Sequence, residues 1–551
     1  MKTLLRLSRL ILPLFPVMAL AVILGTAGFF SAISIPVLGI LALFSSIPVK
    51  FLVLAGVLRG VLHYAEQYCN HFIAFTLLAR IRSLVFEKLR SLGPAKLDGK
   101  QKGGLIALLT GDIELLELFY AHTVSPVCIA FLVSAGVTAF LWQFHWAFAA
   151  FALFSFALVG IFVPSFVQHF SEKAGQENRE KFSQMNAFLL ECLRGISQTI
   201  LFGTGEKRLS MIKRKSEELS AVQKKMAANE GLSAALIEGS VLLCDILMLF
   251  VAIFLYQKNL VTFDAAVISV ATLFSSFGPV VAVARLGSSL SKTIASGKRV
   301  LDLLDEKPLV PAVKKGEKIT DFTGADCESV TFSYNSAHPG MSLDIPNPCG
   351  NQIFSGISLS FPKNRIIGIQ GKSGSGKSTL LKLLMRFWEA DSGSVKISGK
   401  LIQKINTADL RKTESYVTQE TMLFHDTIEN NIRIAKLDAS REEIVAACKK
   451  ASVHDFIQSL PNGYETKVSE LGENFSGGER QRLGLARSFL HGSSFILLDE
   501  HTSNLDSFNE KIILESVKAE AQEKTVVLVS HRKSTLEICD EIHKIENGRK
   551  C

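Results

Sequence analysis

Gly371-Lys372-Ser373-Gly374-Ser375-Gly376-Lys377-Ser378-Thr379 decides the fold of the C-terminal half. Arg365-Ile366-Ile367-Gly368-Ile369-Gln370 precedes it with the apolar run of a buried strand, and Leu380-Leu381-Lys382-Leu383-Leu384 follows with the pattern of an apolar helix. Between a strand and a helix, closely spaced glycines let backbone N–H groups converge on phosphate oxygens, and the helix adds its positive N-terminus. The stretch therefore predicts a phosphate-binding loop. Lys377 is expected to bridge β- and γ-phosphates and Ser378 to ligate Mg²⁺.

Two further apolar runs end in residues suited to the same chemistry. Phe495-Ile496-Leu497-Leu498 leads into Asp499-Glu500, and Val527-Leu528-Val529-Ser530 leads into His531. Asp499 at a strand end is expected to hold Mg²⁺, directly or through water. Glu500 follows it at once, placed to polarise an attacking water as general base. Asn474-Phe475-Ser476-Gly477-Gly478-Glu479-Arg480-Gln481 opens another helix, with Ser476, Gly477 and Gly478 at a terminus that favours an anion.

That set, in that order, resembles the ATP-binding-cassette (ABC) ATPases, whose signature is usually Leu-Ser-Gly-Gly-Gln. Phe475 and Glu479 replace its outer residues and the Ser-Gly-Gly core is intact. The resemblance implies that Ser476–Gly478 face a second γ-phosphate, held by a partner cassette, so the active unit is a dimer. It implies that Tyr416-Val417-Thr418-Gln419 is the Q-loop, with Gln419 sensing Mg²⁺ and γ-phosphate. It further implies that Tyr334 stacks on adenine, that His531 bonds the γ-phosphate, and that Ser503-Asn504-Leu505-Asp506 is a dimer-contact loop. ATP would thus be bound by Tyr334, by Gly371 and Ser373 through Thr379, and by Ser476, Gly477 and Gly478; Mg²⁺ would be held by Ser378, Gln419 and Asp499.

The N-terminal half has a different composition. The 551-residue chain is 48% hydrophobic, and that excess is concentrated before about residue 290. A spanning helix needs about 20 mostly apolar residues, and six candidate spans lie at 11–36, 49–76, 124–144, 147–168, 232–256 and 263–285. The first follows Lys2, Arg6 and Arg9 but is longer than the roughly 7–15 residues of a signal peptide's apolar core. The formal net charge is +9, yet the cations crowd into segments between alternate spans, including Arg80, Arg82, Lys88 and Arg90, then Lys207, Arg208, Lys213, Arg214 and Lys215. That is the positive-inside pattern of a membrane protein, not a nucleic-acid footprint. It puts both ends of the chain in the cytoplasm. Nine cysteines show no CxxC or Cys/His metal spacing.

The expected architecture is an all-α membrane domain of six transmembrane helices, of the exporter type, followed by an α/β P-loop ATPase domain of the ABC type. The boundaries expected are 1–305 for the membrane domain, 306–322 for a linker that Pro308 and Pro311 make non-helical, and 323–551 for the nucleotide-binding domain. By the exporter resemblance, coupling segments fall near Gly103–Glu117 and Gly203–Arg208.

The second span is the most polar. Arg59, His63, Glu66 and Asn70 share one helical face. Ionisable groups at membrane depth face a cavity or each other. The stripe reads as a polar substrate path, as an Arg59–Glu66 packing network, or as an extension below the membrane. Glu238 and Asp245 form a second stripe of the same kind. Arg59-Gly60 with His63-Tyr64-Ala65-Glu66-Gln67-Tyr68-Cys69-Asn70-His71 is also similar to the CydC subunit of the CydDC-type bacterial exporter. Two arginines of that pattern are replaced here by His63 and Gln67, while Glu66 and His71 match. This narrower resemblance implies thiol export (cysteine or glutathione), a CydD-type partner, support of cytochrome bd assembly, and haem contact at His71, with Arg59, His63 and Glu66 as substrate contacts. The other readings are a lipid, drug or peptide exporter acting as a homodimer or in another pairing, and an ATP-binding assembly subunit with weak turnover. Each places the chain in the plasma (inner) membrane as a multi-pass protein with lipid around it, a small-molecule substrate, and a cytoplasmic ATPase.

Overall fold

A computed structural model describes residues 2–44, 48–97, 102–334, 352–472, 474–502, 507–546 and 549–550. The expected dimer-contact loop, Ser503-Asn504-Leu505-Asp506, lies outside the described residues, as do Cys349 and Cys551. The chain divides into two compact units, Met1–Lys88 with Gln101–Glu306, and Lys307–Cys551 with Leu89–Lys100.

The first unit is helical. Its long elements are α1 (Phe15–Phe44), α2 (Lys50–Leu92), α3 (Ser125–Trp142), α4 (Trp146–Ala157), α5 (Val163–Arg194), α6 (Gly205–Gln257), α7 (Phe263–Ser276), α8 (Gly278–Ala284) and α9 (Gly287–Asp305). Ile129, Val133, Val137 and Leu141 recur every fourth residue on α3, and all four are buried. They meet Phe148, Ala152 and Phe156 of α4 and Cys244, Met248 and Ala252 of α6 in one core. Small residues permit the close approach: a Cβ at Gly25 would stand 2.3 Å from Ile129 and 3.1 Å from Glu66. The outer turns are tight and capped. His145 accepts from the Ala147 amide at 3.1 Å, and Thr262 from that of Ala265 at 3.3 Å.

Among the described residues, five helices are long and apolar enough to cross a membrane, where six spans were expected. The exception is α2. It has 43 residues, but Lys50, Arg59 and Glu66 interrupt its apolar run. The descending helices end at Leu92, before Gly93-Pro94, and at Arg194, before Gly195. A six-residue helix, Ile196–Leu201, follows, and the chain turns at Gly203 with φ of +61° before α6 begins. Gly103–Glu117 is helical almost throughout, and Gly203–Arg208 is largely the first turn of α6. Glycine and proline stop these helices.

The second unit contains two sheets. A four-stranded antiparallel sheet has the order β2-β1-β4-β5, with β1 Gly324–Ser333, β2 Gln352–Pro362, β4 Ser392–Ile397 and β5 Lys400–Leu401. A six-stranded sheet has the order β10-β9-β3-β8-β7-β6, with β3 Ile366–Gln370, β6 Glu414–Val417, β7 Phe495–Asp499, β8 Thr525–Ser530, β9 Glu541–Glu546 and β10 Arg549–Lys550. Strands β6, β7, β8, β3 and β9 run parallel. A parallel sheet is covered on both faces, which explains why its strands are continuous apolar runs. Alternation divides them between two cores. Ile367, Ile369, Phe495, Leu497, Val527 and Val529 face one, and Ile366, Ile496, Leu498, Val526 and Leu528 face the other. Truncating fully buried Phe495 to Ala would cost about 3–5 kcal/mol. Helices α10 (Lys377–Leu384), α11 (Gly477–His491) and α12 (Ser507–Glu520) complete the part that matters for the site.

Candidate functional site

Register brings the strand ends together. Gln370 pairs with Ser530 and Asp499 with Val529, so the segments following β3, β7 and β8 emerge at one edge of the sheet. Ligands of open α/β sheets bind at such carboxyl ends.

The loop after β3 has the backbone that its glycines predict. Gly374 and Gly376 take φ of +81° and +95°. A Cβ on Gly376 would press into the Phe354 ring, whereas one on Gly374 meets nothing within 4 Å. Gly376 is therefore required by packing, and Gly374 leaves room beside exposed backbone. Ser375 Oγ is buried without a hydrogen-bond partner among the described residues. The Lys377 side chain, 4% exposed, donates to the carbonyls of Gly371 and Lys372 at 3.0 Å each and lies 3.3 Å from Glu500 Oε1. A buried ammonium, an unsatisfied hydroxyl and a left-handed glycine beside open space together fit a nucleotide's phosphates.

Asp499 is buried and accepts from Ser378 Oγ at 2.9 Å and from the Tyr416 hydroxyl at 2.8 Å. Burial pushes its carboxyl above the usual range, against the pull of those two hydrogen bonds. Ser378 and Asp499 thus meet, as Mg²⁺ ligands must. Glu500 sits at φ of +41°, a costly backbone for a residue with a Cβ. Its amide is held by Val529 O at 3.1 Å, and its Oε1 lies 3.8 Å from His531 Nδ1. The Tyr334 hydroxyl hydrogen-bonds Thr379 Oγ1 at 3.0 Å, with its ring edge-on to Trp388. Gln419 is exposed, and its carbonyl accepts from Gln481 at 3.5 Å. Ser476–Gly478 sit on a separate helix, α11. Ser476 caps it, and the capping box with Glu479 is complete.

Three contributors escaped the sequence reading. Tyr416 was read only as part of the stretch before Gln419, yet it orients Asp499. Arg487 on α11 donates to Met422 O and Asn431 O at 2.7 Å and to Asn431 Oδ1 at 2.9 Å. It ties the signature helix to the segment beyond Gln419, and burial lowers its pKa to about 10. Glu510 of α12 is buried and accepts from Arg532 at 3.1 Å, from Ser534 at 3.2 Å and from Thr535, which anchors the segment after His531. Arginine or glutamate within a helix carries no sequence signal of this kind.

In the membrane unit, the Arg59–Glu66 pair is not formed. Glu66, 3% exposed, instead takes His63 Nδ1 at 3.2 Å and Asn70 Nδ2 at 3.0 Å. Arg59 is exposed. His71 stacks on Phe75, meets His122 edge-on, and has Nδ1 3.5 Å from Glu117 Oε1. On the second stripe, Glu238 pairs with Arg285 at 2.5 Å.

A phosphate loop, an acid pair at a strand end and a serine-glycine cap, joined to membrane-spanning helices, define a transporter driven by ATP. Comparisons with known proteins agree. Residues 354–503 match the ABC transporter family and residues 45–280 its transmembrane region. A Haemophilus influenzae protein described as a probable ABC transporter ATP-binding/permease protein is 45% identical, over 98% of both chains. A Staphylococcus aureus protein described as a putative multidrug export ATP-binding/permease protein is 30% identical, over 89% of this chain and 83% of its own. The fold matches a bacterial Atm1-family ABC exporter solved with ATP bound, with a TM-score of 0.83 at 21% identity, covering 99% of this chain and 94% of that one.

This chain belongs to the ABC transporter family. It is an exporter half-transporter: a multi-pass membrane protein whose cytoplasmic ATPase uses ATP and Mg²⁺, and which works as a dimer.

Proposed function

We propose a division of labour at the nucleotide site. Lys377 leaves the carbonyls of Gly371 and Lys372 to bind the β- and γ-phosphate oxygens of ATP, while Tyr334 faces adenine. Gly371 and Ser373 through Thr379 supply the surrounding amides and hydroxyls. Ser378, Asp499 and Gln419 would hold Mg²⁺, which would supply positive charge to offset that of the phosphates. Glu500 takes the proton of the water whose oxygen bonds to the γ-phosphorus as the bond to ADP breaks. His531 hydrogen-bonds the γ-phosphate and holds it in line. Ser476, Gly477 and Gly478 close on the nucleotide of the opposing cassette. The clustering of Ser378, Asp499, Lys377, Glu500 and His531 at one sheet edge supports this reading.

The cargo reading is finer. The stripe on α2 supports a CydC-like subunit that pairs with a CydD-like half, exports cysteine- or glutathione-type thiols and serves cytochrome bd assembly. One observation carries it: Arg59 lies exposed on α2, within the residues that match the transmembrane region of the family, and no ion pair is formed to it among the described residues. An unpaired guanidinium there calls for an anionic partner, and a thiol amino acid or peptide brings a carboxylate. His63 and Glu66 lie one and two turns further along the same helix. His71, the haem contact implied by the resemblance, has its ring engaged with Phe75, His122 and Glu117, so no step is routed through haem. Uptake of labelled cysteine or glutathione into inside-out vesicles tests the proposal. ATP-dependent uptake that Arg59→Gln abolishes is the expected result, and absence of uptake by the assembled wild type would defeat it.

The Staphylococcus aureus relative's description, multidrug export, favours a second reading, a drug exporter, acting as a homodimer or in another pairing. A stable, ATP-hydrolysing dimer formed by this chain alone would favour it.

A further inference from the structure

The serine-glycine patch of α11 is engaged by its own chain. The Ser476 amide donates to Glu479 Oε2 at 2.7 Å, and the Glu479 amide donates to Ser476 Oγ at 3.3 Å. The leading amide of this helix terminus is therefore committed before any outside anion arrives, while the Ser476 hydroxyl only accepts from the Glu479 amide and keeps its own proton to donate.

Gly477 supplies an independent observation. It occupies the first helical position, where glycine is a poor helix former. Among the described residues, a Cβ built on it would meet nothing within 4 Å, so no described neighbour requires a glycine there. The unfilled space beside bare backbone suits a group from outside the chain.

We propose that Glu479 is a built-in competitor for the phosphate that Ser476–Gly478 receive from the opposing cassette. Its carboxylate must leave the Ser476 amide before a γ-phosphate oxygen can take that place, and the two anions repel across the same helix terminus. Closure of the dimer around ATP is thereby set to require more nucleotide than the patch alone would need. The proposal rests on the reading of Ser476–Gly478 as the patch that meets the partner's nucleotide. A capping role alone does not need the charge, because glutamine closes the same box.

The test is ATP titration of hydrolysis by the assembled transporter, with its membrane domains and partner half, in wild type, Glu479→Gln and Gly477→Asp. Glu479→Gln keeps the cap, so the thermal midpoint should hold. The ATP concentration for half-maximal hydrolysis should fall by about two- to fivefold at low salt, with the gap narrowing as salt screens the charge. Gly477→Asp has space for its side chain and a favourable place for an acid in the first turn, so it should fold and lose hydrolysis. An unchanged or higher ATP requirement in Glu479→Gln, with Gly477→Asp inactive, overturns the competitor and leaves the patch standing. A fully active Gly477→Asp overturns the patch reading and the competitor with it.

Discussion

The acids at the end of β7 and the acid on α2 face the same problem, a carboxylate out of water, and meet it differently. Asp499 takes one hydroxyl from α10 and one from β6, while Glu500 sits beside Lys377 of α10 and His531 beyond β8. Glu66 takes both of its partners, His63 and Asn70, from its own helix. Local pairing at i−3 and i+4 comes with any helical stripe of this composition. Convergence of four elements does not, because each must be held by the sheet in register. The comparison therefore separates a site that the fold assembles from a network that one helix can satisfy by itself.

The largest effect should come from breaking the convergent cluster. Lys377→Ala and Glu500→Gln should each lower ATP hydrolysis at this site by at least about a hundredfold, measured as phosphate release, and chelation of Mg²⁺ should do the same reversibly. A smaller loss is expected one shell out. Tyr416→Phe removes one hydrogen bond to Asp499 and should weaken the Mg²⁺ dependence of hydrolysis by about tenfold, read from a Mg²⁺ titration. On the other side of the comparison, Asn70→Ala leaves Glu66 with one partner fewer. It should cost about 1–3 kcal/mol of stability, seen as a lower thermal midpoint in detergent, while hydrolysis persists. Loss of hydrolysis in that variant with an unchanged midpoint would erase the distinction.

The last effect concerns acid stability and leaves neutral-pH behaviour unchanged. His501 is fully buried, neither ring nitrogen has a partner among the described residues, and burial lowers its pKa to about 4. The unfolded chain binds a proton there below about pH 6.5 and the folded chain does not. The stabilisation is therefore complete above pH 6.5 and declines toward pH 4, by at most about 1.4 kcal/mol per pH unit. His501→Leu should flatten that decline in thermal scans between pH 7 and 5. Identical slopes in the two proteins would refute it.

Much of the nucleotide site could be read directly because its parts are strand ends. Apolar runs such as Phe495–Leu498 announce buried parallel strands, and the residue after each run must emerge at the ligand edge. The phosphate loop is legible for the same reason. Tyr416 was not, because its reach to Asp499 depends on the Tyr416–Leu497 register between β6 and β7, which spacing along the chain does not encode. His501, beside the acid pair, is buried, which its place in the sequence does not announce. The membrane helices were visible as apolar runs, except that α2 carries too much charge to qualify. The cargo stripe stays ambiguous on sequence alone because one helical face can be a path or a packing seam with the same residues.

The most direct test is a side-by-side measurement of ATP binding and ATP hydrolysis by the assembled transporter and its Glu500→Gln variant. If the β7 acid is the base of an ATP-driven dimer, the variant should retain ATP in a closed, stable dimer and release almost no phosphate. Wild-type hydrolysis by the variant, or failure of either protein to bind ATP, would contradict the account.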